Sequence, residues 1–339
     1  MRSITIIGGG LAGLSLGIGL RRVGVPVVVR EAGQYPRHRV CGEFISGLKD
    51  STIDRLGLVN CLRESVRLEC TRWYAPHRCL RADRLPVAAR GLSRWTLDKN
   101  LLGELTRLGG RVETGVRCDR SDVGTGLVDC AGRQPAKDRR WIGLKCHVEG
   151  FQLESDLEMH MSAAGYVGLS RIEDGRVNLC GLFRQAGLKP GGDQPFLYSY
   201  LESCGFGRLL DRLQRARPVE GSACSVAALG YGPPVSTPGA LALGDARGLI
   251  PPFTGNGMTL AFESAALAIE PLRAYAQGGQ SWSECTRGFA LAARARFGRR
   301  LAVARWMHRC LVSPRLFPLT AAAAQTPLFP FQSLFRLTR

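Results

Sequence analysis

The stretch ITIIGGGLAG, residues 4–13, decides how the chain is read. Ile4, Ile6 and Ile7 form a short apolar run. Gly8, Gly10 and Gly13 follow at GxGxxG spacing, and Gly17 comes one helical turn later. Leu14 to Arg22 has helical character, Gly24 closes it, VPVVV (25–29) reads as a second buried strand, and Glu31 stands at its end. A lone GxGxxG is a weak signal. Between a strand and a helix, with an acid eighteen residues past the last glycine, it is the dinucleotide fingerprint in its required setting. Gly8 permits the tight turn, Gly10 leaves room for a pyrophosphate, and Gly13 lets the helix pack close to the strand. Leu11 and Ala12 open a helix whose unpaired N–H groups and dipole face an anion. Glu31 can accept hydrogen bonds from ribose hydroxyls. The bland alternative is a glycine-rich turn with no nucleotide.

A second glycine-rich turn lies far downstream, in ALALGDARGLIPPFTGNGMTLAFESAALAIEPL (240–272). ALAL reads as a buried strand with Gly244 and Asp245 at its end. Pro251 and Pro252 force an extended loop, Gly255 and Gly257 flank Asn256, and a long Ala-rich helix begins at Met258.

Between these poles, QYPRHRVCGEFISG (34–47) is irregular and SGLKDSTIDRLGL (46–58) has helical spacing. The basic knot Arg37, His38, Arg39 is read as facing solvent in preference to a nucleotide phosphate. Residues 66–90 suggest strands outside the nucleotide fold. In 93–110, Arg94 precedes a helix with an apolar face at Leu97, Leu101, Leu102, Leu105 and Leu108. RVETGV (111–116) and GLVDCAG (126–132) are short strands returning to the sheet. The segments 141–150, 154–162, 165–175 and 176–183 alternate at period two. Glu173-Asp174-Gly175 marks a hairpin between the last two, so an antiparallel sheet is predicted. Residues 184–236 are helical and irregular, with a strand-like run at 222–229.

The chain has 339 residues, 45% of them apolar, enough for a sizeable core. No apolar run is long enough to span a bilayer, and the N-terminus does not read as a signal peptide. Twelve scattered cysteines form no CxxC pair and no zinc spacing, which points to reduced thiols in a cytoplasmic protein. The formal charge of +18 is carried mostly by arginine, and no nucleic-acid-binding motif accompanies it. The region 283–311 is helical and very basic, and 316–339 is apolar, Pro-broken and free of acids. It reads as a helix packed on the body or as an interfacial element on a membrane surface.

Gly8-x-Gly10-x-x-Gly13 with Glu31, Arg94 with Asp98, and Gly244-Asp245 followed by PPFTGNGM together resemble the FAD-dependent oxidoreductases of the para-hydroxybenzoate hydroxylase superfamily. RVCGEFIS, GYVGLSRIEDGRVNLCGLF and LIPPFTGNGM are most similar to its geranylgeranyl reductase-related branch. The resemblance implies an α/β chain: a Rossmann-like, GR2-type FAD-binding domain, an inserted antiparallel-sheet substrate domain, and C-terminal helices. The parts would be 1–65, 91–136 and 237–275 for FAD, 66–90 and 137–236 for substrate, and 276–339 for the helices. FAD pyrophosphate would lie on Gly8 to Gly13, ribose on Glu31 and Ala32, and the isoalloxazine along Pro252 to Gly257 and the Met258 helix start. Arg39, Val40, Cys41, Arg94, Gly244 and Asp245 would line the cofactor between them.

Two departures matter. The aromatic signatures of prenyl reductases and tryptophan halogenases are absent, with GYVGLS in their place. The Asp-Gly motif between the early strands appears only as DCAGR (129–133). The first reading is therefore a flavin monooxygenase on a hydrophobic aromatic, polyketide or lipid-like substrate. The second is a reductase of carbon–carbon double bonds, and a third, of another class, is a non-catalytic flavin- or lipid-binding protein. Only one dinucleotide fingerprint is present, so the electron donor would be transiently docked NAD(P)H or a partner reductase. Cys41 and Glu43 are the catalytic candidates, as a thiol near the flavin and a proton donor. Tyr166 and Phe253 are candidate substrate contacts. His147 and His160 are candidate bases, although sheet histidines are more often structural.

Overall fold

The structure, a computed structural model, describes residues 1–119, 124–133, 140–189, 194–227 and 239–339. In chain order the elements are β1 (Ile4–Ile7), α1 (Leu11–Arg22), β2 (Val27–Glu31), β3 (Phe44–Ile45), α2 (Asp50–Leu56), β4 (Val66–Ala75), β5 (Arg78–Gly91), α3 (Arg94–Arg107), β6 (Arg111–Thr114) and β7 (Leu127–Asp129). There follow β8 (Trp141–Glu149), β9 (Leu157–Ser162), β10 (Gly165–Arg171), β11 (Val177–Arg184), α4 (Phe196–Ser203), α5 (Gly207–Leu213), β12 (Arg217–Pro218), β13 (Cys224–Ala227) and β14 (Leu241–Ala242). Last come α6 (Gly257–Ala276), α7 (Trp282–Val312), α8 (Phe317–Ala324) and α9 (Phe331–Leu337).

The apolar run at 4–7 becomes the centre of a parallel sheet of order β14-β7-β1-β2-β6. Its partner α1 is buried from Leu11 to Leu20 without a polar face. That burial follows from its glycines. A Cβ on Gly17 would lie 3.1 Å from the Leu105 side chain of α3, and one on Gly19 would lie 2.6 Å from Ile269 of α6. Small residues thus let α1 sit between two helices. Each fully buried Leu or Ile along it contributes roughly 1.5–3 kcal/mol.

The period-two segments form the second sheet, of order β12-β8-β11-β10-β9-β4-β5-β3, with β13 also on β8. The expected hairpin holds: Arg171 pairs with Val177, and Asp174 turns the chain at φ 58°. The strands expected in 66–90 belong here. Two features were not anticipated. The loop after Arg39 contributes β3 to this sheet, and β4 pairs with β9 in parallel, Thr71 opposite Leu157. Of the strand-like run 222–229, Cys224–Ala227 pairs with β8, and 228–229 lie outside the described residues. The chain has the α/β architecture that the sequence implies: a parallel, dinucleotide-type sheet and a largely antiparallel one. α7 opens with a capping box, Ser281 with Glu284. α8 and α9 fold back, and both pack against β5.

Candidate active site

A cavity of about 1360 Å³ runs between the two sheets. It extends from Gly8, Gly10 and Glu31 at one end to Trp73, Tyr166 and Phe331 at the other.

At the first end the three glycines do different things. Gly8 has φ 97°, and a Cβ there would strike the Cys130 carbonyl at 2.4 Å. A Cβ on Gly13 would strike the Gly8 carbonyl at 2.0 Å. A Cβ on Gly10 would meet nothing within 4 Å, because that position opens onto the cavity at the N-cap of α1. A pyrophosphate fits there, facing the free N–H groups of the first helical turn. Glu31 is buried at the end of β2. It accepts from Gly9 N–H (2.8 Å) and Gly33 N–H (2.9 Å) and pairs with Arg37. Burial pushes its carboxyl up, but the Gly33 N–H and the two arginines Arg37 and Arg39 outweigh it, so the group is held low and ionised. A carboxylate offers about four acceptor positions, so a ribose hydroxyl still finds one. Ala32, Val40, Leu11 and Ala12 line the same end.

Arg37, His38 and Arg39 correct the sequence reading, for the knot is not a solvated patch. Arg37 holds Glu31, Arg39 reaches Asp98 (3.2 Å), and His38 stacks on Trp95 with ring centroids 4.7 Å apart. Arg94 forms a two-point pair with Asp98, both bonds 2.8 Å. Ser93, the N-cap residue before it, gives its N–H to Glu173 of the hairpin turn (2.8 Å), so the second sheet sets where Arg94 stands.

Glu43 is placed where the proton-donor reading fails. It sits at φ 52° with no exposure. One carboxylate oxygen accepts from Arg94 N–H (2.9 Å) and Lys145 Nζ (3.2 Å), the other from His147 Nε2 (2.6 Å). Burial raises its pKa, but His147 and Lys145 overcome that and hold it low. It is an ionised anchor with no proton to give. His147 is bound to that anchor. His160 lies outside the cavity lining, stacked on Tyr74 and bonded to Glu158 (3.1 Å); both histidines are structural. Lys145, a buried charge in the middle of an apolar strand, was the overlooked signal for this cluster. It also reaches His38 Nδ1 (3.1 Å). Burial, then Lys145, pushes His38 down to about 4, so the ring is neutral.

Cys41 lines the cavity. Its carbonyl accepts from Asn178 Nδ2 (3.1 Å), and its sulfur accepts from Glu43 N–H (3.4 Å). Burial raises the thiol, so it is protonated, and its S–H has no acceptor among the described residues.

The second glycine turn borders the same cavity. Gly255 adopts φ 64°, where a Cβ would press on Phe44 at 2.8 Å. α6 starts at Gly257, one residue before the expected Met258, and Met258 faces the cavity. Asn256 is fully buried, yet neither oxygen nor nitrogen of its amide has a partner among the described residues. An unsatisfied buried amide costs about 1–3 kcal/mol, so the pair of donor and acceptor fits a polar ring edge. Asp245, after Gly244, is pushed up to about 6 by burial, against the pull of Arg94 and Arg133. These residues fit FAD: anion cradle, ribose acceptor, amide pair and helix start lie along one cavity.

The far end is apolar. Trp73 meets Phe253 edge to face at 5.6 Å, and Tyr166 meets Phe253 at 5.7 Å. The Tyr166 hydroxyl accepts from Phe253 N–H (3.0 Å), tying sheet to loop. Met159 and Phe331 complete this wall; α9 was not anticipated as part of it. Arg339 closes the end, donating to Ser46 Oγ (2.6 Å) and the Thr254 carbonyl (2.9 Å), with its guanidinium 3.5 Å above the Phe335 ring. No metal-binding cluster of His, Cys, Asp or Glu exists among the described residues.

The fold is one that solved flavin-dependent enzymes share, and the cradle fits a flavin dinucleotide. The chain is similar to menaquinone reductase of Mycolicibacterium smegmatis, 23% identical over 95% of this chain and 87% of that protein. Its fold matches the flavin-dependent brominase Bmp2 (TM-score 0.76, 18% identity, 99% of this chain and 92% of the other). It also matches a geranylgeranyl bacteriochlorophyll reductase-like protein from Thermoplasma acidophilum (TM-score 0.75, 16% identity, 99% and 95%). No family model matches the sequence.

Proposed function

We propose that this FAD-dependent oxidoreductase reduces a carbon–carbon double bond in a hydrophobic, quinone- or prenyl-like substrate. One observation carries the reading: a protonated thiol, Cys41, whose S–H has no acceptor among the described residues, borders a cavity with a dinucleotide cradle at one end and an aromatic, apolar wall at the other. When bound, FAD supplies the hydride. Cys41 holds the proton for the adjacent carbon and is restored from solvent. Trp73, Tyr166 and Phe253 bind and orient the apolar body and exclude water. Arg94 and Asp98 fix the middle of the cradle, and Asn256 holds the cofactor's ring edge. The likeness to menaquinone reductase along 95% of the chain supports this order over the sequence reading, which put hydroxylation first. NAD(P)H or a partner reductase is the electron donor in this reading.

Hydroxylation keeps one supporting observation, the absence of the prenyl-reductase aromatic signature at GYVGLS (165–170). Oxygen separates the two. Photoreduced enzyme mixed anaerobically with a polyprenyl naphthoquinone should be reoxidised as one equivalent of reduced product forms, and Cys41→Ala should slow this at least tenfold while remaining yellow. Turnover only with O2, with label from ¹⁸O2 in the product, would replace reduction with hydroxylation.

A further inference from the structure

From Cys285 to Arg339 the chain carries ten arginines and no Asp or Glu. On the outer face of α7, Leu291, Ala295, Gly298, Ala302 and Trp306 recur at three- and four-residue steps, one stripe of a helix. All five are exposed, Leu291 by 66% and Trp306 by 59%. Arg294 and Arg299 flank the stripe and Arg309 ends it; all three are exposed and have no carboxylate partner among the described residues. Beyond the helix, Leu319 is 68% and Leu328 91% exposed. An exposed apolar stripe rimmed by charge marks a protein or membrane interaction site.

We propose that this face docks on an anionic lipid bilayer. Charge selects the occupant. A second copy would bring arginines against arginines in a chain of net charge +18. A bilayer of anionic headgroups offers counter-charge over the whole face and an apolar layer for Leu291 beneath it. Trp306 suits the headgroup level, and the small residues between let α7 lie flush. No helix among the described residues is long and apolar enough to cross a membrane, so the chain lies on the surface. The same segment walls the cavity from within: Met307, next to Trp306, and Phe331 and Leu334 line its apolar end. A lipid-like substrate therefore passes from bilayer to cavity beside α7. This route, but not the docking, rests on the function proposed above.

Co-sedimentation of the full-length yellow protein with vesicles tests it. Phosphatidylglycerol–phosphatidylcholine vesicles should bind it at least tenfold more tightly than pure phosphatidylcholine. R294Q/R299Q/R309Q should lose that preference, and Leu291→Ser with Trp306→Ser should weaken binding to anionic vesicles about tenfold, both with unchanged flavin absorbance. Equal binding to both vesicles, no binding, or burial of Trp306 in a concentration-dependent dimer would overturn the proposal. Vesicle binding without turnover of any apolar substrate would sustain the docking and remove the proposed function. Turnover with no vesicle binding would do the reverse.

Discussion

Two polar groups border the same cavity and differ in one respect. Around Glu43 both oxygens are partnered, by Arg94 N–H, Lys145 and His147. In the 252–258 loop, the Asn256 amide is equally buried and has no partner among the described residues. A saturated cluster serves the fold, since each member answers another's desolvation cost. An unsaturated one faces a ligand, since only an added group can satisfy it. The contrast moves Glu43 from catalysis to architecture and gives Asn256 more weight than a loop residue would receive.

The largest test breaks the saturated side. Glu43→Gln leaves Lys145 buried without a counter-charge, which costs about 3–5 kcal/mol. Urea denaturation should record it, and adding Lys145→Met should restore most of the loss. An unchanged midpoint in the single variant would mean the cluster is not structural. Next, Gly10→Val should abolish flavin binding, at least ~100-fold or about 3 kcal/mol. Its Cβ meets only open cavity, so circular dichroism should stay native. A yellow protein with an FAD spectrum would refute the cradle.

A smaller effect sharpens the unsaturated side. Asn256→Ala should weaken FAD by roughly 1–2 kcal/mol yet leave the apoprotein as stable or slightly more so, since it removes an unpartnered amide. Loss of apoprotein stability without loss of FAD affinity would reverse the assignment. The smallest effect is a pH slope. The Asp245 carboxyl is raised to about 6 in the folded chain. A raised group contributes stability that is complete at low pH and is lost as pH climbs through the folded value. Apoprotein stability should therefore fall between about pH 4 and 6 relative to Asp245→Asn, by roughly 1 kcal/mol after allowance for solvent. Parallel profiles for the two proteins would show that Asp245 is not desolvated.

How much of this was legible follows the range of the interactions. Gly8, Gly10, Gly13 and Gly255 announce themselves, because local backbone demands are written locally. The alternation in 141–183 gave the antiparallel strands for the same reason. The Glu43 cluster was not legible. Its members stand at 38, 43, 94, 145 and 147, and only the packing of one sheet over the other joins them. Lys145 inside WIGLKCHVEG was the trace it left. Phe331 and Arg339 were hidden similarly, for nothing in an apolar, Pro-broken tail says that it turns back to wall a cavity.

The parallel pairing of β4 with β9 has a kinetic side. Thr71 must find Leu157 across 86 intervening steps of chain, with β6 and β7 of the other sheet threaded between. Neither sheet can then be completed by a nascent segment on its own. Loop closure of that length comes before any reward from pairing, so the chain should assemble slowly. During synthesis β4 and β5 wait with an open edge until β9 emerges, a window in which a chaperone would be of most use.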